Sequence, residues 1–176
     1  MPVLFVPILL VNFLDAAGLY TVGLCGMSEE PIPAAERDLP KNLCPLIKSS
    51  YGFAVSDKCP YTYFSDLIVG ETTCDGKKKM YELLGQLKDV YILHLPQCAD
   101  RPYAEAMWLN ELQRFREALE KKFNVTITDE DLRRAAAFRN EIRQAQTALM
   151  ELQKLVKWLL LEILLKVNSY YQIILQ

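Results

Sequence analysis

The sequence is short of histidine, of clustered charge and of long unbroken apolar runs. His94 is its one histidine. No block of five or more like charges occurs and the formal net charge is −2, so nothing in bulk argues for a nucleic-acid partner. The apolar stretch from Val3 to Leu14 has no Lys or Arg ahead of it, is interrupted by Pro7 and ends at Asp15. It lacks the basic start and small-residue cleavage site of a signal peptide, and it falls short of the about 20 apolar residues of a membrane span. It reads as a buried strand or helix. The stretch from Leu155 to Leu175 is more apolar, but Lys157, Glu162 and Lys166 break it, and it reads as a buried or partner-facing helix. No membrane partner is expected. There is no internal repeat and no low-complexity tract. Gly70 to Lys77 places a lysine after a glycine without spelling a phosphate-binding P-loop.

What is present is material for one core: 51% hydrophobic and 24% charged residues in 176. The five cysteines, Cys25, Cys44, Cys59, Cys74 and Cys98, are odd in number and sit in a chain longer than most disulfide scaffolds. This implies a reducing, cytoplasmic setting with thiols free for metal or redox chemistry. The glycosylation pattern Asn124-Val125-Thr126 means nothing in that setting.

Patterning gives a mixed order of elements. Thr21 to Cys25 reads as a short strand, and Ser28 to Pro40, rich in proline and acidic residues, as a loop. A short helix is expected within Leu43 to Val55, with Pro45 suited to its first position. Leu67 to Gly70 and Val90 to Leu95 read as strands buried on both faces. Between them Met80, Leu83, Leu84 and Leu87 recur at helical spacing. This strand–helix–strand unit, roughly 30 residues long, suits a βαβ crossover and a parallel sheet. Helices follow, one from Pro102 to about Phe123. A second starts near Asp129 behind a Thr128/Asp131 pair that resembles a capping box. Its apolar face holds Leu132, Ala135, Ile142, Ala145, Leu149 and Leu152. The fold class is α/β, a Rossmann-like parallel sheet with flanking helices and a helical C-terminal extension. The expected divisions are residues 1–154 for the α/β domain and 155–176 for the apolar helix.

Cys44, Cys59 and Cys74 are evenly placed, with fourteen residues between neighbours. This matches neither a close-set ferredoxin run nor a zinc finger. Position says more. Cys74 falls between the end of a parallel strand and the start of a helix, where open α/β sheets bind ligands. A helix start favours the thiolate, which is the metal-ligating form; Cys44 shares that context. The plain alternative is buried structural cysteine. Cys25, inside an expected strand, reads as core, and Cys98 as a loop bystander. Cys74 with His94 would make a nucleophile and base, but His94 lies in an expected buried strand and reads as a core histidine. Lys77, Lys78 and Lys79 could hold a phosphate group or a partner, against the commoner reading of a solvated face. Ser49 and Ser50 could touch a thioester, against the commoner one of satisfying backbone groups.

Asn42-Leu43-Cys44-Pro45 through Gly52 and Asp66 through Met80 resemble the two cysteine motifs of 2-hydroxyacyl-CoA dehydratase subunits. The similarity continues through Leu93-His94-Leu95-Pro96, Arg101-Pro102-Tyr103 and Asn140-Glu141-Ile142-Arg143, covering about residues 16 to 150. It implies the first of two α/β domains and a [4Fe–4S] cluster with Cys44 and Cys74 as its first two ligands. It also implies an ATP-dependent activator protein, a second dehydratase subunit or homodimer, and an acyl-CoA substrate dehydrated through a ketyl radical. Asp57-Lys58-Cys59-Pro60-Tyr61 resembles the branch with double-cubane iron–sulfur clusters, in which Cys59 would be an added ligand. The sequence departs from the family where Asn12 stands for a glutamate, and where the second domain would follow Leu155. A truncated or engineered non-catalytic α/β domain, or a double-cubane-type reductase fragment, is the alternative.

Overall fold

The computed structural model describes residues 10–24 and 26–174, with side-chain surroundings described as far as residue 160. The helices in chain order are α1 (Val11–Ala16), α2 (Ile32–Ala35), α3 (Pro45–Val55), α4 (Pro60–Phe64), α5 (Asp75–Leu84), α6 (Ala104–Phe123) and α7 (Asp129–Ile174). Strand β1 (Ile68–Glu71) pairs in parallel with β2 (Val90–Leu93), Ile68 opposite Val90 and Glu71 opposite Leu93. The expected α/β unit is there, and helices cover both faces of it.

Period-two alternation divides the sheet between two cores. Leu67, Val69, Tyr91 and Leu93 turn to one face, against Leu10 and Leu14 of the N-terminal helix and Phe115 and Leu119 of α6. The Phe115 ring packs at 6.0 Å from Phe13 and 5.1 Å from Tyr91. Val90 and Ile92 turn to the other face, against Ala35, Ile47, Tyr51, Met80, Tyr81 and Leu84. Gly70 faces the same way. A side chain there would run into the Tyr81 ring, so glycine is what lets α5 lie close to the sheet.

Local chemistry sets the helix ends. α6 stops at Asn124, which takes a left-handed conformation at φ 52° and donates its N–H to Glu120. The asparagine of the apparent glycosylation pattern is thus a helix terminator. α7 opens on the anticipated capping box: Asp131 N–H donates to Thr128 Oγ1 at 3.2 Å, and Thr128 N–H donates to Asp131 Oδ2 at 3.0 Å.

Several expectations change. Thr21 to Leu24 form no strand, and Cys25 lies outside the described residues, as do Val3 to Leu9. The backbone just after that segment finds partners on a helix instead of a ladder: Gly26 N–H donates to Ser50 Oγ at 3.0 Å and Ser28 N–H to Ser49 Oγ at 3.3 Å. The loop from Ser28 to Pro40 holds the short α2, and α4 was not anticipated. Leu87, expected on the apolar face of α5, is exposed beyond its end. α7 runs through Leu155 without a break, so the apolar C-terminal stretch is not a separate helix. Contacts divide the chain into one compact unit up to Ala135 and a second from Ala136. No helix among the described residues is long and apolar enough to cross a membrane.

Thr128→Ala should lower stability by about 1 kcal/mol, read from denaturant midpoints. The Thr128 hydroxyl, then its N–H, holds the Asp131 carboxyl below the usual range. A lowered folded pKa stabilises above the unfolded value. The contribution of Asp131 should therefore fade as pH falls from the ordinary carboxylate range through its lowered pKa, and Thr128→Ala should flatten that part of the profile.

Candidate functional site

Three helices of the first unit begin at a cysteine. Cys44, Cys59 and Cys74 occupy the capping positions of α3, α4 and α5, all with non-helical backbone. Pro45 and Pro60 follow at the first helical position, where a missing N–H costs nothing. Cys59 Sγ accepts the Thr62 N–H and Cys74 Sγ the Lys77 N–H, each at 3.4 Å. These thiols do what serine or aspartate usually does at a helix start. Cys44 makes no such bond and is exposed. The start of α4 could have been read from the sequence, because Cys59-Pro60 repeats Cys44-Pro45.

The structure brings two of the three helix starts together. A methyl group added at Gly76, in the first turn of α5, would come within 2.9 Å of Leu43 and Ile47. The first turns of α5 and α3 therefore touch, and Cys74 and Cys44 cap neighbouring helices. Cys59 stands elsewhere. It borders a small apolar cavity of about 50 Å³ with Phe53 and Ala54 of the last turns of α3. An 11-residue helix is about 16 Å long, so Cys59 lies by the end of α3 opposite Cys44. Among the described residues no group of three or more His, Cys, Asp or Glu is gathered closely enough to hold a metal ion. Cys98 is exposed in the loop before α6.

Cys74 also borders an open groove of about 520 Å³, between Thr72–Asp75 and Lys78 on one side and Leu95–Gln97 on the other. This is the carboxyl end of the parallel strands. Two bonds fix its walls: Leu95 N–H donates to Thr72 Oγ1 at 2.9 Å, and His94 N–H donates to Glu111 Oε2 at 3.1 Å. Glu111 is buried and also meets Arg114 at 3.1 Å. The signal for it in the sequence was a carboxylate in line with Phe115 and Leu119 on the apolar face of α6. His94 follows β2 and is exposed, which corrects the core histidine expected there. The reason is that the strand ends at Leu93, the last residue packed into the core.

Other polar candidates are occupied. Ser49 Oγ donates to the Ser28 carbonyl at 2.6 Å and Ser50 Oγ to the Leu46 carbonyl at 2.9 Å, so both serve the backbone. Lys77, Lys78 and Lys79 pair with Glu71, Asp75 and Glu82 at 3.4, 3.0 and 2.8 Å. The Tyr81 hydroxyl is buried without a well-formed hydrogen bond. Burial pushes its pKa up to about 12; the charges of Glu71 and Cys74 add to the shift, and the facing Glu71 backbone opposes it. Asn12, on α1, buries its Oδ1 with no partner.

Residues 8–171 match the model of the family described as 2-hydroxyglutaryl-CoA dehydratase, D-component. The chain belongs to this family. A protein of Escherichia coli (strain K12) named "Putative dehydratase subunit YjiM" is 52% identical over 130 residues, which are 74% of this chain and 34% of that protein. The chain thus spans about a third of the length of the curated relative it matches. Cys44, Cys59 and Cys74 all lie inside the stretch that matches the dehydratase family.

Exposure orders the reactivity of the thiols. Native alkylation with iodoacetamide, followed by peptide mass spectrometry, should label Cys44, Cys74 and Cys98 several-fold faster than the half-buried Cys59. Equal rates at Cys59 and Cys74 would contradict the placement of Cys59 against the cavity.

Proposed function

We propose that this chain carries the cluster-bearing first α/β domain of a cytoplasmic 2-hydroxyacyl-CoA dehydratase subunit. The observation that carries the reading is the pairing of Cys44 and Cys74 on touching helix starts, with Cys74 at the carboxyl end of a parallel sheet. Membership of the dehydratase family supports it. Cys44 and Cys74 would hold two corners of a [4Fe–4S] cluster, and further ligands would come from beyond this pair. Such a cluster supplies a single low-potential electron, delivered by an ATP-dependent activator, for radical dehydration of a 2-hydroxyacyl-CoA. The partners of this reading are that activator and a second dehydratase subunit.

The chain's own residues have narrower tasks. Thr72 and Glu111 hold the two loops that wall the groove, so the thiol of Cys74 keeps its position beside the space a substrate would enter. Pro45 fixes the backbone that presents Cys44. Lys78 and Gln97 border the groove and would meet the polar groups of an acyl-CoA. The position taken by Asn12 offers an amide where the family pattern has a carboxylate, so proton transfer by that position is lost. Cys59, by the end of α3 opposite Cys44, would join only a larger double-cubane cluster.

Anaerobic purification followed by loading with iron and sulfide tests this. The wild type should bind iron and gain a broad visible absorption. Cys44→Ser and Cys74→Ser should each lose most of both, with Cys59→Ser close to wild type. A wild type that takes up no iron would sink the cluster reading in favour of a non-catalytic scaffold. Loss of iron in Cys59→Ser equal to that in Cys74→Ser would favour the double-cubane branch.

A further inference from the structure

Of the three cysteines at helix starts, Cys44 alone keeps its thiol out of the cap. Cys59 and Cys74 each accept an amide of the first turn, and Cys44 accepts none. Pro45 removes one amide that would need an acceptor. The N–H groups of Ile47 and Lys48 turn to the Cys44 carbonyl, each at 3.1 Å. The segment that delivers Cys44 to the start of α3 must therefore be held by something else.

That holder is a buried lysine. Lys48, in the first turn of α3, is 6% exposed. Its side chain runs back toward the helix start, as helical side chains do. Nζ donates to Glu36 Oε1 at 2.8 Å and to the Lys41 carbonyl at 2.7 Å. Nearly one turn on, the buried Tyr51 donates its hydroxyl to Asp38 Oδ2 at 2.9 Å. Two side chains of α3 thus tie down residues 36–41, and the Leu43 N–H closes the next turn on the Pro40 carbonyl at 3.0 Å. Lys41 stands three residues before Cys44. Leu43, between them, meets the first turn of α5 at Gly76. The clamp therefore sets where Cys44 stands against the helix that Cys74 begins.

Stability alone does not call for this arrangement. Lysine is almost never fully buried, and a well-packed apolar side chain in place of a buried ion pair is often no worse for stability. An apolar side chain cannot hold one carboxylate and one carbonyl of an incoming loop at fixed points. We propose that Lys48 is the positioning residue of Cys44: it holds the segment that presents the thiol, so that the thiol itself stays free for a metal. This rests on the reading of Cys44 as a cluster ligand.

Lys48→Met keeps the length of the side chain and removes its donors, while Lys48→Arg keeps charge and donors. Two measurements on the full chain test the proposal, with helix content followed by circular dichroism. Without metal, amide exchange of residues 36–44 should rise about tenfold in Lys48→Met, with α5 unchanged, and Lys48→Arg should return it toward wild type. Under anaerobic loading with limiting iron and sulfide, Lys48→Met should take up roughly a tenth of the wild-type iron and lose visible absorption in proportion. Lys48→Arg should restore both. Glu36→Ala removes one anchor from the more exposed side of the pair. It should move both readings the same way by a smaller step, even if Lys48→Met fails to fold. Exchange in Lys48→Met equal to that of the wild type overturns the proposal. So does equal iron uptake, or a Lys48→Arg variant as poor as Lys48→Met. A wild type that takes up no iron overturns the reading of Cys44 as a ligand instead, and the exchange of residues 36–44 then still decides whether Lys48 holds the segment.

Discussion

Two parallel strands cannot be joined by a tight turn. The chain must leave the carboxyl end of β1, cross one face of the sheet, and enter β2 from the opposite end. α5 is that crossing, and most of the molecule is arranged around it. The backbone leaves the ladder after Glu71 and must begin a helix by Asp75. Cys74 stands in that gap, at the point where a side chain can cap the first turn and still face open space. The close passage of α5 over the sheet requires Gly70, because Tyr81 fills the room a side chain would need. The amides released at the end of β2 need acceptors, and Thr72 and Glu111 supply them. The groove beside Cys74 follows from the same geometry: two strands end together, and their exits diverge.

What could be read in advance followed from local patterns with a clear physical cause. The two strands were legible because a strand buried on both faces must be apolar throughout. The capping box before α7 was legible because Thr128 and Asp131 satisfy one another across three residues. Cys44 and Cys74 could be placed at helix starts from their neighbours alone. The missed features depend on contacts distant in sequence. Thr21 to Leu24 have the composition of a strand, but the nearby backbone is claimed by serines on α3. His94 looks like a core residue beside Leu93 and Leu95, yet the ladder stops one residue before it. That the helices begun by Cys44 and Cys74 touch at their first turns could not be seen from even spacing. It depends on the first turn of α5 meeting Leu43 and Ile47.

The even spacing of three cysteines invites the idea of one three-ligand site, and the fold argues for a division of labour. Two of the cysteines stand at the starts of helices that touch at their first turns, and of these only the Cys74 thiol accepts a capping bond. The third caps a short helix by the far end of α3, against an apolar cavity. The same capping geometry in Cys59 is a sufficient reason for a cysteine there, because a helix of five residues has little else to hold its start.

Ser49 and Ser50 carry a further consequence. They tie Gly26 and Ser28 to the middle of α3, across more than twenty residues of chain. Strand ladders protect a backbone by repetition, so that one broken bond leaves others in place. Here two adjacent side chains on one helical turn supply the acceptors. The solvent exchange of these two amides should therefore follow the local opening of α3 rather than that of the sheet.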